Sequence, residues 1–90
     1  DLDRTMVMAY NLKGIILEKQ EKYQAAIDNY LKGLKYARDD INLNFNLAVA
    51  YFKNKEFTKA RDLFEKVLLQ TPDPEMKAQI NEYLKLIEKK

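Results

Sequence analysis

"KYQAAIDNYLKGL" (Lys22–Leu34) and "EFTKARDLFEKVL" (Glu56–Leu68) align without a gap, and this pairing decides the fold. Tyr23 meets Phe57, Ala26 meets Ala60, Tyr30 meets Phe64, Gly33 meets Val67 and Leu34 meets Leu68, each 34 residues further on. Upstream, at the same spacing, Gly14 meets Ala48 and Leu17 meets Tyr51. The period therefore runs through two consecutive helical segments. Small residues let backbones approach closely, and the large apolar residues beside them fill the remaining space. Gly33 in mid-helix costs about 1 kcal/mol relative to Ala, so close packing is the reason to expect it there.

The rest of the composition agrees. Ninety residues suffice for one domain, and 47% apolar with 33% charged residues describes a chain that folds. Only 2 Gly and 2 Pro are present, little material for the turns of a sheet, while helix formers abound. The net charge of +2 is spread over both signs, which is no nucleic-acid face. Cys and His are absent, so disulfides, thiolate and imidazole catalysis and the common zinc sites are excluded. No apolar run approaches the roughly 18 residues of a membrane span, and no signal-like segment opens the chain. Asp1 in place of an initiating Met reads as a piece of a longer protein. No residue type calls for a cofactor. The compartment stays open, with the cytoplasm favoured.

These residues carry a resemblance to the tetratricopeptide repeat family, whose 34-residue unit is a helix–turn–helix with small residues at points of close contact. The second unit matches at Leu47, Ala48, Tyr51, Phe57, Ala60, Phe64, Val67 and Pro72. The first matches at Tyr10, Gly14, Leu17, Tyr23, Ala26, Tyr30 and Gly33, and departs at Lys13 and Arg38, where the family has Leu and Pro. The resemblance covers essentially the whole chain. It implies an all-α, right-handed superhelix of antiparallel helix pairs. The units would be repeat one at about 7–40, repeat two at about 41–74 and a capping helix at about 74–89.

Five helices are expected, at about 3–20, 23–38, 41–54, 57–70 and 74–89. Asp40 can cap the third helix by accepting from the free N–H groups of its first turn. In "TPDPEMKA", Pro72 blocks continuation of the fourth helix, Asp73 is a good N-cap, and Pro74 sits where a helix tolerates proline. The turns "KQEK" and "KNKE" lack the family's Gly, and Asn54 suits a left-handed conformation better than Gln20. Met76, Ile80, Tyr83, Leu84 and Ile87 form one stripe on the last helix, with Leu86 outside it. A terminal helix of that kind covers the last repeat with one face and meets water with the other.

The third helix, "INLNFNLAVAYF" (Ile41–Phe52), is apolar nearly all the way round. Leu47, Ala48 and Tyr51 hold packing positions against the second and fourth helices. Phe45, Val49 and Phe52 follow i, i+4, i+7 and form a separate stripe. The resemblance places that stripe on the concave inner surface, where ligands are held. Met8, Asn11, Ile15 and Lys19 of the first helix join it, and Asn42, Asn46 and Lys53 supply its polar content. Three readings of the stripe stay open: core between repeats, a groove for a peptide of a partner protein, or contact with a second copy. Asn46 stands where repeats of this kind hydrogen-bond a peptide backbone or carboxylate, or is internally bonded.

The two-carboxylate clamp by which some family members grip chaperone tails is not matched. Its Lys, Asn and Arg positions hold Asn11, Ile15, Asn46, Met76 and Ile80, of which only Asn46 agrees. Glu18 with Lys22, and Asp62 with Lys66, are i, i+4 pairs that read as helix-surface support. "ARDD" and "EKK" read as solvated ends. No paired carboxylates and no Gly-rich phosphate loop support catalysis. The expectation is thus a non-enzymatic module that binds a protein or peptide partner in its concave groove. The alternative is a self-association module that forms dimers or larger assemblies.

Overall fold

The computed structural model describes residues 2–90, with side chains from Arg4 onward. Its elements are α1 (Leu2–Lys19), α2 (Tyr23–Leu34), α3 (Ile41–Lys53), α4 (Phe57–Gln70) and α5 (Pro74–Glu88). No strand occurs among the described residues. Each helix packs on the next, and α1 also meets α3. The expected all-α architecture of five helices is therefore present, in a body of 40 × 29 × 18 Å.

Two buried clusters hold it together. Ala26, Ile27 and Tyr30 of α2 pack with Leu43, Leu47 and Ala50 of α3. Ala48 and Val49 of α3 pack with Ala60, Phe64 and Val67 of α4 and Ile80 and Ile87 of α5. The third helix thus stands between two cores, which is why it needs apolar residues around most of its circumference. Tyr51 packs against both clusters, as its place among the shared small and aromatic residues suggests.

The shared small residues mark real close approaches. A Cβ placed on Gly14 would lie 2.4 Å from Cε1 of the Tyr30 ring. Nothing short of moving that fully buried ring would accommodate it. Gly33 is less constrained: its Cβ would come to 3.1 Å from a terminal methyl of Leu43 and 3.3 Å from Cβ of Tyr10. In the second unit Ala48 and Phe64, both fully buried, occupy the positions of Gly14 and Tyr30.

The interhelical turns differ from expectation at one position. Asn54 has φ −84, and the left-handed residues are the next ones along, Glu21 (φ 62) and Lys55 (φ 64). The hydrogen bonds give the reason. Glu21 N–H donates to Glu18 C=O (2.9 Å) and Lys22 N–H to Leu17 C=O (2.9 Å); Lys55 N–H donates to Phe52 C=O (3.0 Å) and Glu56 N–H to Tyr51 C=O (2.9 Å). This is the Schellman pattern, which requires positive φ at the residue before the last donor. Asn54 instead donates through its side chain to the Glu56 carboxylate (2.9 Å), which lowers the Glu56 pKa below its ordinary value.

The second helix ends at Leu34, four residues before the expected 38. The N–H groups of Lys35 and Tyr36 fold back to the carbonyls of Lys32 (3.2 Å) and Gly33 (3.0 Å), a tighter winding that stops the helix. The loop is then held from outside. The buried Asn44 side chain donates to the carbonyls of Arg38 (3.1 Å) and Asp40 (2.9 Å), and Tyr36 stacks on Tyr10. The other boundaries agree within a residue. Asp40 accepts from Leu43 N–H (2.9 Å) and Asp73 from Glu75 N–H (3.0 Å), with Pro74 opening α5.

Three stability effects follow from these contacts. Gly14→Ala is expected to cost about 1–3 kcal/mol, because displacing Tyr30 outweighs the propensity gain of about 1 kcal/mol, whereas Gly33→Ala stays near neutral. Glu21→Gly and Lys55→Gly should each stabilise by about 1 kcal/mol by relieving the left-handed conformation. Asn29 is buried with its Oδ1 unpartnered, and Leu63 stands at the equivalent place, so Asn29→Leu should stabilise by about 1–2 kcal/mol. Urea unfolding of the five variants measures all three, and a Gly14→Ala chain as stable as the parent would refute the close-approach account.

Candidate functional site

The candidate face is built on α1 and α3, which lie side by side and are joined by two polar contacts. Asn46 Nδ2 donates to Asn11 Oδ1 (2.8 Å), and Lys53 Nζ pairs with Glu18 Oε2 (2.8 Å). Each contact spans 35 residues, so the same step carries one helix onto the other twice. Glu18 also accepts from the Tyr30 hydroxyl (3.0 Å). Its expected pairing with Lys22 is therefore replaced by a link between α1, α2 and α3. A helix-surface pairing cannot compete here, because Glu18 is nearly enclosed and reaches two donors at once. Asp62 likewise lies against Arg61 (3.5 Å) in place of Lys66.

The electrostatics are those of a held network. Burial first, then the charge of Glu18 and its hydrogen bond, push the Tyr30 phenol far above its usual range, so it remains a donor. The Glu18 hydrogen bond raises the Lys53 pKa, against a smaller opposing effect of burial. Lys53 is thereby a cation at neutral pH, but one already engaged. An incoming carboxylate would have to share it with Glu18.

The sequence-derived residues divide by exposure. Met8, Lys19, Asn42 and Lys53 are exposed; Asn11, Ile15, Phe45, Asn46 and Phe52 are half-buried; Val49 is 7% exposed and belongs to the core. Phe45 sets its edge against Phe64 at 6.1 Å between centroids. Phe52 lies between Phe57 (5.6 Å) and Tyr83 (5.1 Å), and Tyr83 stacks in turn on Phe64 (4.9 Å). The stripe Phe45, Val49, Phe52 is thus largely engaged with α4 and α5. Ile15 packs against the α2–α3 cluster.

What stays open lies toward the start of α1 and α3. Arg4, Val7, Met8 and Asn11 of α1 and Asp40, Asn42 and Leu43 line a small hollow of about 140 Å³. Thr5, Met8, Ala9, Asn11, Leu12 and Ile15 border a wider, apolar depression of about 560 Å³ on α1. Leu12 and Asp40 were not among the residues assigned to the face from sequence. Asp40 reads there as a helix cap, which it also is, and Leu12 gives no signal because its position falls between the repeat's packing positions. Where the chaperone-tail clamp needs cations, α5 presents the half-buried Met76 and the buried Ile80. Among the described residues no cluster of acidic side chains could hold a metal ion, and no helix is long and apolar enough to cross a membrane.

Comparison with known proteins identifies the family of the chain. Tetratricopeptide repeat protein 21A of Homo sapiens is 33% identical over 82 residues, which is 89% of this chain and 6% of that protein. Its Mus musculus counterpart is 32% identical over 82 residues, again 6% of its length. An uncharacterized protein, ycf37, of Cyanophora paradoxa is 34% identical over 73 residues, 80% of this chain and 42% of that protein. The chain therefore spans a small part of the first two relatives and less than half of the third. A family profile described as "Tetratricopeptide repeat protein 21 C-terminal ARM domain" matches residues 1–83. The resemblance to tetratricopeptide repeats is thus shown at the coarser level of a helical-repeat family related to them. The chain belongs to the family of tetratricopeptide repeat protein 21 C-terminal ARM domains.

Proposed function

We propose that this chain is a non-enzymatic protein-interaction module that holds a peptide or short segment of a partner on the face formed by α1 and α3. The domain is read as one unit, with repeat one at about 7–40, repeat two at about 41–74 and a capping helix at about 74–89. The observation that carries this reading is the Asn11–Asn46 pair (2.8 Å), flanked by the exposed Met8 and Asn42. Each amide offers two donors and an acceptor, and the pair uses one donor and one acceptor between them. Two amides side by side next to an apolar side chain suit an extended peptide, whose backbone presents alternating donors and acceptors. Lys19 and Lys53, both exposed, add positive charge toward the far end of the same helices. Phe45, Val49, Ile15 and Phe52 support the face from beneath.

Membership of a helical-repeat family supports protein partners as the ligand class. The test is selection from a random peptide display library, followed by affinity measurement on variants. Met8→Ala with Asn42→Ala should weaken the selected peptides at least about tenfold, or about 1.4 kcal/mol. Both residues are exposed, so the fold is unaffected, and Lys32→Ala on α2 should leave affinity unchanged. Peptides that bind the double variant as tightly as the parent would overturn the assignment.

A further inference from the structure

The stretch "QTPDPE" (Gln70–Glu75) joins α4 to α5 and is built unlike the other connections. Proline forces the residue before it into extended backbone, and both Thr71 and Asp73 stand in that position. Thr71 has ψ 135, and Asp73 has φ −77 and ψ 113, with Pro72 between them. The earlier connections fold back through backbone hydrogen bonds at Glu21, Lys35 and Lys55. Here the backbone bonding stops with Thr71 N–H on Val67 C=O (2.9 Å) and resumes, among the described residues, with Lys77 N–H on Asp73 C=O (3.0 Å). A side-chain oxygen bridges the gap, Thr71 Oγ1 accepting from Asp73 N–H (3.2 Å). Yet the chain reverses its direction here. The Lys90 ammonium sits over the Phe57 ring (5.6 Å), and Arg61 and Glu65 line a hollow with Lys85 and Glu88. A stiff, extended link is poorly suited to such a reversal.

The helix that follows is a self-contained piece. Asp73 caps it and Pro74 opens it, so its start is fixed by residues that travel with it. It rests on side chains that any second copy also presents. Ile80 and Ile87 enter the cluster around Phe64, and Tyr83 stacks on Phe64 (4.9 Å) with Phe52 edge-on (5.1 Å). We propose that α5 is exchanged between two copies of this chain, the α5 of each filling the aromatic trough on α3 and α4 of the other. Every contact between α5 and the trough then re-forms between copies, and the stiff link leads α5 away instead of turning it back. The occupant is a second copy because α5 is the segment that the trough already accommodates. Met8, Asn11, Asn42 and Asn46 take no part in the exchanged contacts. The proposal therefore does not rest on the peptide-binding reading, and a dimer would carry two such faces.

The chain has no Cys, so Lys85→Cys offers a single point for a nitroxide spin label on the exposed side of α5. Spin-labelled copies in excess are unfolded in urea and refolded together with isotope-labelled copies that carry no spin label. The protein is held at about 1 mM, where a second copy begins to compete with a short link. Light scattering should show a dimer. The isotope-labelled copies should lose the amide resonances of Arg61 and Glu65, which line one hollow with Lys85 in the closed chain. Pro72→Gly frees both links of the dimer to bend and should raise its dissociation constant at least about tenfold. An interface on any outer surface would not feel that substitution. A chain that stays monomeric at this concentration, a dimer whose resonance losses fall on α1 and α2, or a dimer indifferent to Pro72→Gly overturns the proposal.

Discussion

The structure depends on one helix being buried from two sides at once. Leu43, Leu47 and Ala50 of α3 close the first core against α2, while Ala48 and Val49 close the second against α4 and α5. A surface helix needs an apolar stripe only about 100° wide. This helix has room for polar residues only at its edges, where Asn42, Asn46 and Lys53 lie. The one amide that falls inside, Asn44, is satisfied by two carbonyls of the preceding loop. Left unpaired, such a group would cost about 1–3 kcal/mol. Bonded as it is, it fixes where that loop runs.

The two junctions made by α3 differ in chemistry. Toward α1 it is joined by an amide pair and an ion pair, Asn46 with Asn11 and Lys53 with Glu18. Toward α4 and α5 it is joined by rings, Phe45 on Phe64 and Phe52 on Phe57 and Tyr83. The same step of 35 residues that links Asn11 to Asn46 leads from Phe45 to Ile80, and from Phe52 to Ile87, both buried. The far end of the body is therefore closed by an apolar junction and a charged outer helix. The near end keeps accessible amides, lysines and an unfilled apolar face. That asymmetry is why the peptide-binding face is proposed at the α1 end.

Much of the fold was legible because its causes are local or periodic. The 34-residue spacing shows which residues play equivalent parts, and Gly14, Ala26, Ala48 and Ala60 mark the close approaches. Asp40, Asp73 and Pro74 cap helices through atoms a few residues away, so short-range rules suffice for them. The candidate face was less legible. Whether Phe45 and Phe52 look toward a groove or toward a neighbouring helix depends on how α5 comes to rest. Glu18 finds Tyr30 and Lys53 only once three helices are assembled, so its sequence neighbour Lys22 was the wrong partner to expect.

The sequence by itself determined the helical class, the number of helices, the caps at Asp40 and Asp73 and the correspondence of small and aromatic residues 34 positions apart. These follow from hydrophobic period, small residues and side-chain oxygens acting within a turn. Only the tertiary structure decided that α2 stops at Leu34, that Glu21 and Lys55 take the left-handed conformation, and that Asn11 and Asn46 bond to each other. The Asn11–Asn46 bond joins two helices, and the fold-back hydrogen bonds at Glu21, Lys55 and Leu34 form where the chain leaves one helix for the next. No propensity of the single residue carries that information.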